Sequence, residues 1–264
     1  MTRQKSRPSG EKYALKKVNG QSFFEFVAER KSNLTQNSEA ELLAIAQHPC
    51  IAQLVASFYT STRMLLLTEE LGTNIAAKIV EHGKYAEDEA MELLYDCARG
   101  VAHLHALQIV HRDLQPDNML LVHESHGRRS LKLYDFGLGR FVNKPLNCST
   151  FCGTPLYMAP GVRLCRRALS SEYAKPADMW SLGVTLYVML SGCFPFPSEG
   201  LYENVMDGQC DFEEDEWAFV STNAQLLVRD FIIASPSARR PADTLLPCLR
   251  DVASKLHASA RNEE

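Results

Sequence analysis

Tyr13, Leu15 and Lys17 alternate with Ala14, Lys16 and Val18 just after a Pro8-Ser9-Gly10 turn, the period-two pattern of a strand over 12–18. Residues 2–9 before it read as another strand and its turn. The period then changes. Over 39–47, Leu42, Leu43 and Ile45 take helical spacing, and His48-Pro49 stops the helix. Two more strands, 51–58 and 64–68, flank the polar turn at 60–63. Gly72 and Thr73 interrupt this strand-rich stretch. From 87 to 105, Met91, Leu94, Ala98, Val101 and Leu104 recur at helical intervals behind an acidic first turn, which suits the positive end of a helix dipole. Further helices are predicted over 179–190, 221–234 and 241–257, separated by prolines and glycines. The pattern therefore predicts an α+β chain: a small unit of strands with one helix over 1–71, a larger helical unit over 72–257, and a polar tail over 258–264.

Composition narrows this without redirecting it. A chain of 264 residues with 45% hydrophobic content can bury a sizeable core. A net charge of -4 argues against general nucleic-acid binding, and the pairs Arg128-Arg129 and Arg166-Arg167 are too short to track a phosphate backbone. The eight cysteines form no Cys-x-x-Cys pair, so free thiols in a reducing compartment are expected. The charge-free run 179–198 is broken by Ser181, Gly183, Ser191 and Gly192 and closed by Pro195 and Pro197. Its roughly twelve apolar-rich residues fall short of the roughly twenty that span a bilayer. With no charged and apolar leader at residue 1, the expectation is an intracellular protein, cytoplasmic or nuclear, with neither membrane nor nucleic acid as partner.

Candidate chemistry concentrates in one stretch. His111-Arg112-Asp113-Leu114-Gln115-Pro116-Asp117-Asn118 is followed by Asp135-Phe136-Gly137. Asp113 can accept a proton from a hydroxyl, and Asn118 and Asp135 offer the hard oxygen ligands that magnesium prefers. Each residue also has a plainer reading. Asp113 would serve as a loop aspartate capping nearby amides, Lys16 as an exposed strand lysine beside Lys17, and Glu39 as a surface acid beside Glu41.

Six motifs in order decide between these readings: Tyr13-Ala14-Leu15-Lys16, the 111–118 loop, Asp135-Phe136-Gly137, Gly153-Thr154-Pro155-Leu156-Tyr157-Met158-Ala159-Pro160, Asp178-Met179-Trp180-Ser181-Leu182-Gly183, and Arg239. Over roughly residues 9–251 the chain resembles a eukaryotic protein kinase catalytic domain of the serine/threonine type, most like the calcium/calmodulin-dependent and checkpoint kinases. The resemblance implies a two-lobed fold, ATP and Mg2+ as cofactors, and a protein serine or threonine hydroxyl as substrate. It implies that Lys16 holds the α- and β-phosphates and pairs with Glu39, that Asp113 is the base, and that Asn118 and Asp135 hold the metal. Ala14 and Leu120 would enclose adenine, with hinge hydrogen bonds from 68–71, where Glu69 and Leu71 lie. Asp178 would anchor the catalytic loop through its amides, and His111 would pack on Phe136. Arg112 would meet a phosphate placed on Thr150 by an upstream activating kinase. Asp117 and Glu203 match acidic positions that read arginine in a substrate, whereas Asn74 stands where many such kinases carry glutamate.

Three departures bear on activity. The Gly-x-Gly-x-x-Gly loop that should precede Lys16 by about twenty residues is not in this sequence, so a small lobe lacking its first strand and phosphate-covering loop is expected. Gln115 replaces a lysine that would neutralise the γ-phosphate, which costs about a hundredfold in rate. Gly161 replaces the glutamate of Ala-Pro-Glu, so Arg239 needs another acceptor, at a cost of about 3–5 kcal/mol if none is found. The alternative function is therefore a pseudokinase or truncated kinase fragment acting as a binding or scaffold domain.

Overall fold

A computed structural model describes residues 2–5, 12–19, 38–60, 63–123, 129–142, 153–164, 171–197, 199–208, 210–212 and 215–250. Four strands, β1 (Thr2–Lys5), β2 (Lys12–Asn19), β3 (Leu54–Tyr59) and β4 (Arg63–Glu69), form an antiparallel sheet in the order β1-β2-β4-β3. The register sets Lys16 opposite Leu66 and Ala14 opposite Thr68. On β4 the alternation is clean, with Met64, Leu66 and Thr68 buried. β3 is less regular. A register shift between Leu54 and Ala56 breaks its period, and Val55, Phe58 and Tyr59 are exposed.

The strand expected from Ile51 begins only at Leu54, because residues 50–52 belong to the other lobe. Leu133 donates to the Cys50 carbonyl and its own carbonyl accepts from Ala52, both at 2.9 Å. Helix α1 (Glu39–Ile45) starts at Ser38, whose hydroxyl accepts from the Glu41 amide at 3.2 Å. It buries Glu39, Ala40, Leu42 and Leu43 and ends two residues short of the expected Gln47.

The larger lobe contains α2 (Ile75–His82), α3 (Glu87–Ala106), the short strands β5 (Ile109–Val110) and β8 (Arg140–Phe141), and the hairpin β6 (Met119–His123) with β7 (Arg129–Leu133). It continues with α4 (Pro160–Leu164), α5 (Ser171–Ser191), α6 (Leu201–Asp207), α7 (Thr222–Phe231) and α8 over 242–250. The core joins Leu94, Val101 and Leu104 of α3 to Trp180, Leu182 and Leu186 of α5 and to Val228 and Phe231 of α7. Helix α5 begins eight residues before the expected Met179. Lys175, Pro176 and Asp178 interrupt the apolar run there, yet Pro176 is accommodated inside the helix. Gly183 brings α5 against α7, since a Cβ there would lie 2.3 Å from the Phe231 Cβ.

The lobes meet at a hinge held to β6. Gly72 donates to the Leu121 carbonyl at 2.8 Å, and the Leu121 amide returns a bond to Thr73 at 2.9 Å. A Cβ at Gly72 would sit 2.4 Å from that carbonyl oxygen, so only glycine lets the hinge approach so closely. Among the described residues no helix is long and apolar enough to cross a membrane.

Candidate active site

The β2 strand carries Lys16 and the α1 helix carries Glu39, the former inside the cleft and the latter buried beneath it. The Lys16 ammonium donates to both Glu39 carboxylate oxygens at 2.8 Å and to Asp135 Oδ1 at 2.7 Å. The plain surface readings of these two residues therefore fail: Glu39 is 6% exposed. Burial would lower the Lys16 pKa, but the two carboxylates outweigh it and hold it above its ordinary value. Asp135 is held below the ordinary carboxylate range: burial opposes its charge, yet Lys16 and the Gly137 amide, 3.1 Å from Oδ1, prevail. Burial pushes the Glu39 carboxyl up, against the pull of Lys16. Glu39 also accepts from the Phe136 amide at 3.2 Å, which ties α1 to the 135–137 segment.

The catalytic loop is hung from the core. Asp178, fully buried on α5, accepts the amides of His111 and Arg112 at 2.9 Å each and lies 3.0 Å from His105 Nε2. Burial would raise its pKa, but these donors hold it below the usual range. His111 packs on Phe136 with ring centroids 4.8 Å apart. Its Nε2 lies 3.1 Å from the Tyr134 carbonyl, and its Nδ1 accepts from the Asp113 amide at 3.3 Å. That pattern assigns a neutral ring with the proton on Nε2, in agreement with burial lowering its pKa. Arg112 and Asp135 adopt left-handed backbone, at φ 69° and 62°. Both are non-glycine residues in a costly conformation, and they flank the two functional segments.

Asp113 projects from this loop among neutral donors. Asn118 Nδ2 lies 2.9 Å from Oδ2, Gln115 Nε2 3.1 Å from Oδ1, and Thr154 Oγ1 3.3 Å from Oδ1. Gln115 thus spends its amide on Asp113. Because Asn118 donates through Nδ2, its side-chain carbonyl oxygen has no partner among the described residues, and neither has Asp135 Oδ2. Two hard oxygens that are open fit a magnesium ion, whose remaining ligands would be phosphate and water.

The remaining sequence-predicted residues fall on β2, β4, β6 and the hinge. Ala14 on β2 and Leu71 in the hinge are each 7% exposed, and Leu120 is half-buried on β6, bridged to Asn74. Glu69 ends β4: its amide donates to Gln53, while its carboxylate accepts the Gln53 amide at 2.8 Å and the Lys132 ammonium at 2.6 Å. Asn74 caps α2 and donates to Asp117 Oδ1 at 3.3 Å, so the two positions expected to bear on substrate choice are adjacent. Thr150 lies outside the described residues.

Arg239 has found acceptors without the glutamate. Its guanidinium donates to the carbonyls of Ile233 at 2.6 Å and of Pro176 and Ala234 at 2.9 Å, and it stacks over Trp180 at 4.9 Å. The contributions of His105 and Thr154 escaped the sequence reading. Thr154 was visible only as part of the 153–160 motif, and His105 as a polar residue closing a helix.

A two-lobed fold with a lysine, three acids and an asparagine assembled in this way is that of a protein kinase. The family model of the protein kinase domain matches residues 2–247, and the chain belongs to that family. Serine/threonine-protein kinase DCLK1 of Rattus norvegicus is 33% identical over 246 residues, covering 91% of this chain and 54% of the relative. The probable serine/threonine-protein kinase fhkE of Dictyostelium discoideum is 33% identical over 246 residues, covering 91% and 34%. Serine/threonine-protein kinase DCLK2 of Homo sapiens is 32% identical over 257 residues, covering 94% and 32%. The chain thus spans between about a third and about half the length of these curated relatives.

Proposed function

We propose that the chain is an ATP-dependent serine/threonine protein kinase domain, transferring the γ-phosphate of ATP to a protein hydroxyl. The observation that carries this is Lys16 held between Glu39 and Asp135 at 2.7–2.8 Å, the ion-paired arrangement that grips nucleotide phosphates. Asp113 orients the substrate hydroxyl and accepts its proton, and Asn118 and Asp135 hold Mg2+. Ala14, Leu71 and Leu120 enclose adenine, with Glu69 in the hinge beside them. Asp117 and Glu203 favour a basic residue near the target, and the Asn74 side chain weakens that preference by supplying no charge. Thr150 is the activating site, where a phosphate added by an upstream kinase would pair with Arg112. The chain is further placed by this reading in the group similar to the calcium/calmodulin-dependent kinases, working inside the cell; the relatives' names support its serine/threonine type.

A second reading, a scaffold that binds nucleotide without turnover, is favoured by one feature. Gln115 brings no charge to the phosphate and bonds to the base instead. Thermal shift with ATP and Mg2+, followed by radiolabelled phosphate transfer to a basic peptide, separates the two. A kinase shows both stabilisation and transfer, and Asp113→Asn keeps the first while losing the second. Stabilisation without transfer gives the scaffold, and no stabilisation refutes nucleotide binding altogether.

A further inference from the structure

A cavity of about 470 Å³ opens between the C-terminal end of α3, the first turns of α5 and the start of α8, and Asp113 does not line it. Met179, Ala242 and Arg239, all buried, line it together with Ala102 and Pro241. Lys175, Arg240 and Asp243 are its charged lining besides Arg239. Arg240 is already paired with Asp230 at 3.3 Å.

Arg239 is the unusual member. It is 5% exposed, and its bonds among the described residues go to three neutral carbonyls, with no carboxylate in ion-pair range. A guanidinium has five N–H donors, so two are not accounted for by these bonds. Buried charges are almost always paired, and the glutamate that the resemblance would place at 161 is glycine here. A buried cation without a carboxylate among the described residues therefore lines a cavity that also presents the apolar Ala102, Ala106, Met179, Pro241 and Ala242, with His105 and Gln108 as further polar lining.

We propose that this cavity binds a small carboxylate with an apolar body, its carboxylate on Arg239 and its tail along Ala102, Met179 and Pro241. The volume falls within the range of ligand pockets, roughly 300–1,000 Å³. The two N–H donors left on the guanidinium can serve one anionic group, and the apolar Ala102, Met179 and Pro241 favour an anion with an apolar body over inorganic phosphate, which has none to bury. The binding would supply the counter-charge that Arg239 lacks among the described residues.

The test is calorimetry and thermal shift with sodium octanoate, 1-octanol and inorganic phosphate, each added alone. Octanoate is expected to bind about tenfold or more tighter than octanol, since a charge-assisted pair is added to the same apolar contact. Phosphate is expected not to compete with it. Ala102→Phe, which fills the wall and leaves Arg239 in place, should abolish the octanoate response while the protein still melts cooperatively, and Arg239→Met should reduce octanoate to the level of octanol. Octanol equal to octanoate, phosphate displacing octanoate, or no response of the wild-type protein to octanoate each overturns the proposal. The wild-type comparison decides the matter even where a variant fails to fold.

Discussion

Replacing Gln115 with lysine should raise the rate of phosphate transfer about a hundredfold. In the structure the Gln115 amide lies 3.1 Å from Asp113 Oδ1, so a lysine at this position sits beside the base and next to the site of transfer. The bond that is lost, from a neutral amide to the Asp113 carboxylate, is worth about 1.5–3 kcal/mol, and a bond from the ammonium to the same carboxylate replaces it, so the fold should be undisturbed. The gain comes in the transition state. One preorganised donor at developing charge is worth about 2.7–4 kcal/mol, and 1.36 kcal/mol is tenfold in rate. Because the charge develops during transfer, the change should appear in kcat, with the KM for ATP shifting much less. The assay is steady-state transfer of radiolabelled phosphate to a basic peptide, with ATP varied, on proteins of matched thermal midpoint. A kcat for Gln115→Lys within about threefold of wild type would refute the reasoning, since the 115 side chain would then not face the reacting phosphate.

Lys16→Met should abolish the ATP-dependent thermal shift. Since the folded pKa of Lys16 is raised above 10.5, its stabilising contribution is present below that pH and lost as pH rises through the folded value, so the variant should flatten the alkaline arm of the midpoint-against-pH profile. Asp178→Asn should destabilise the fold by about 3–5 kcal/mol, seen in denaturant melts, by leaving two loop amides and His105 poorly paired. The folded pKa of Asp178 is below 3.8, so its contribution is present above that pH and lost as pH falls through the folded value; the variant should lose less stability on acidification than wild type. Gly72→Ala should cost about 1–3 kcal/mol, read as a midpoint several degrees lower, because its Cβ would press on the Leu121 carbonyl oxygen.

The sequence was most legible where one residue type has one physical job. The 111–118 loop and Asp135-Phe136-Gly137 marked the site because base and oxygen ligands must stand close together. The amphipathic helix at 87–106 followed directly from its apolar spacing. Other features depend on partners distant in sequence. Ile51 looks like the start of a strand, but Cys50 and Ala52 bond to Leu133, more than eighty residues on. The first turns of α5 were hidden by Pro176 and two charged residues, and α2 by having only Ile75 buried. The acceptors that Arg239 would find were unreadable for the same reason. They are backbone carbonyls, which no side-chain motif announces.

The pair of amide bonds from His111 and Arg112 to Asp178 has a dynamic consequence. Asp178 sits in the middle of the most deeply packed helix of the molecule, so these two loop amides can open to solvent only when that helix gives way. In hydrogen exchange they would be protected like the core rather than like a surface loop. The turn that presents Asp113 is then expected to loosen late on warming, with the core of the larger lobe, whereas the Lys16–Glu39 side of the site depends on the small lobe.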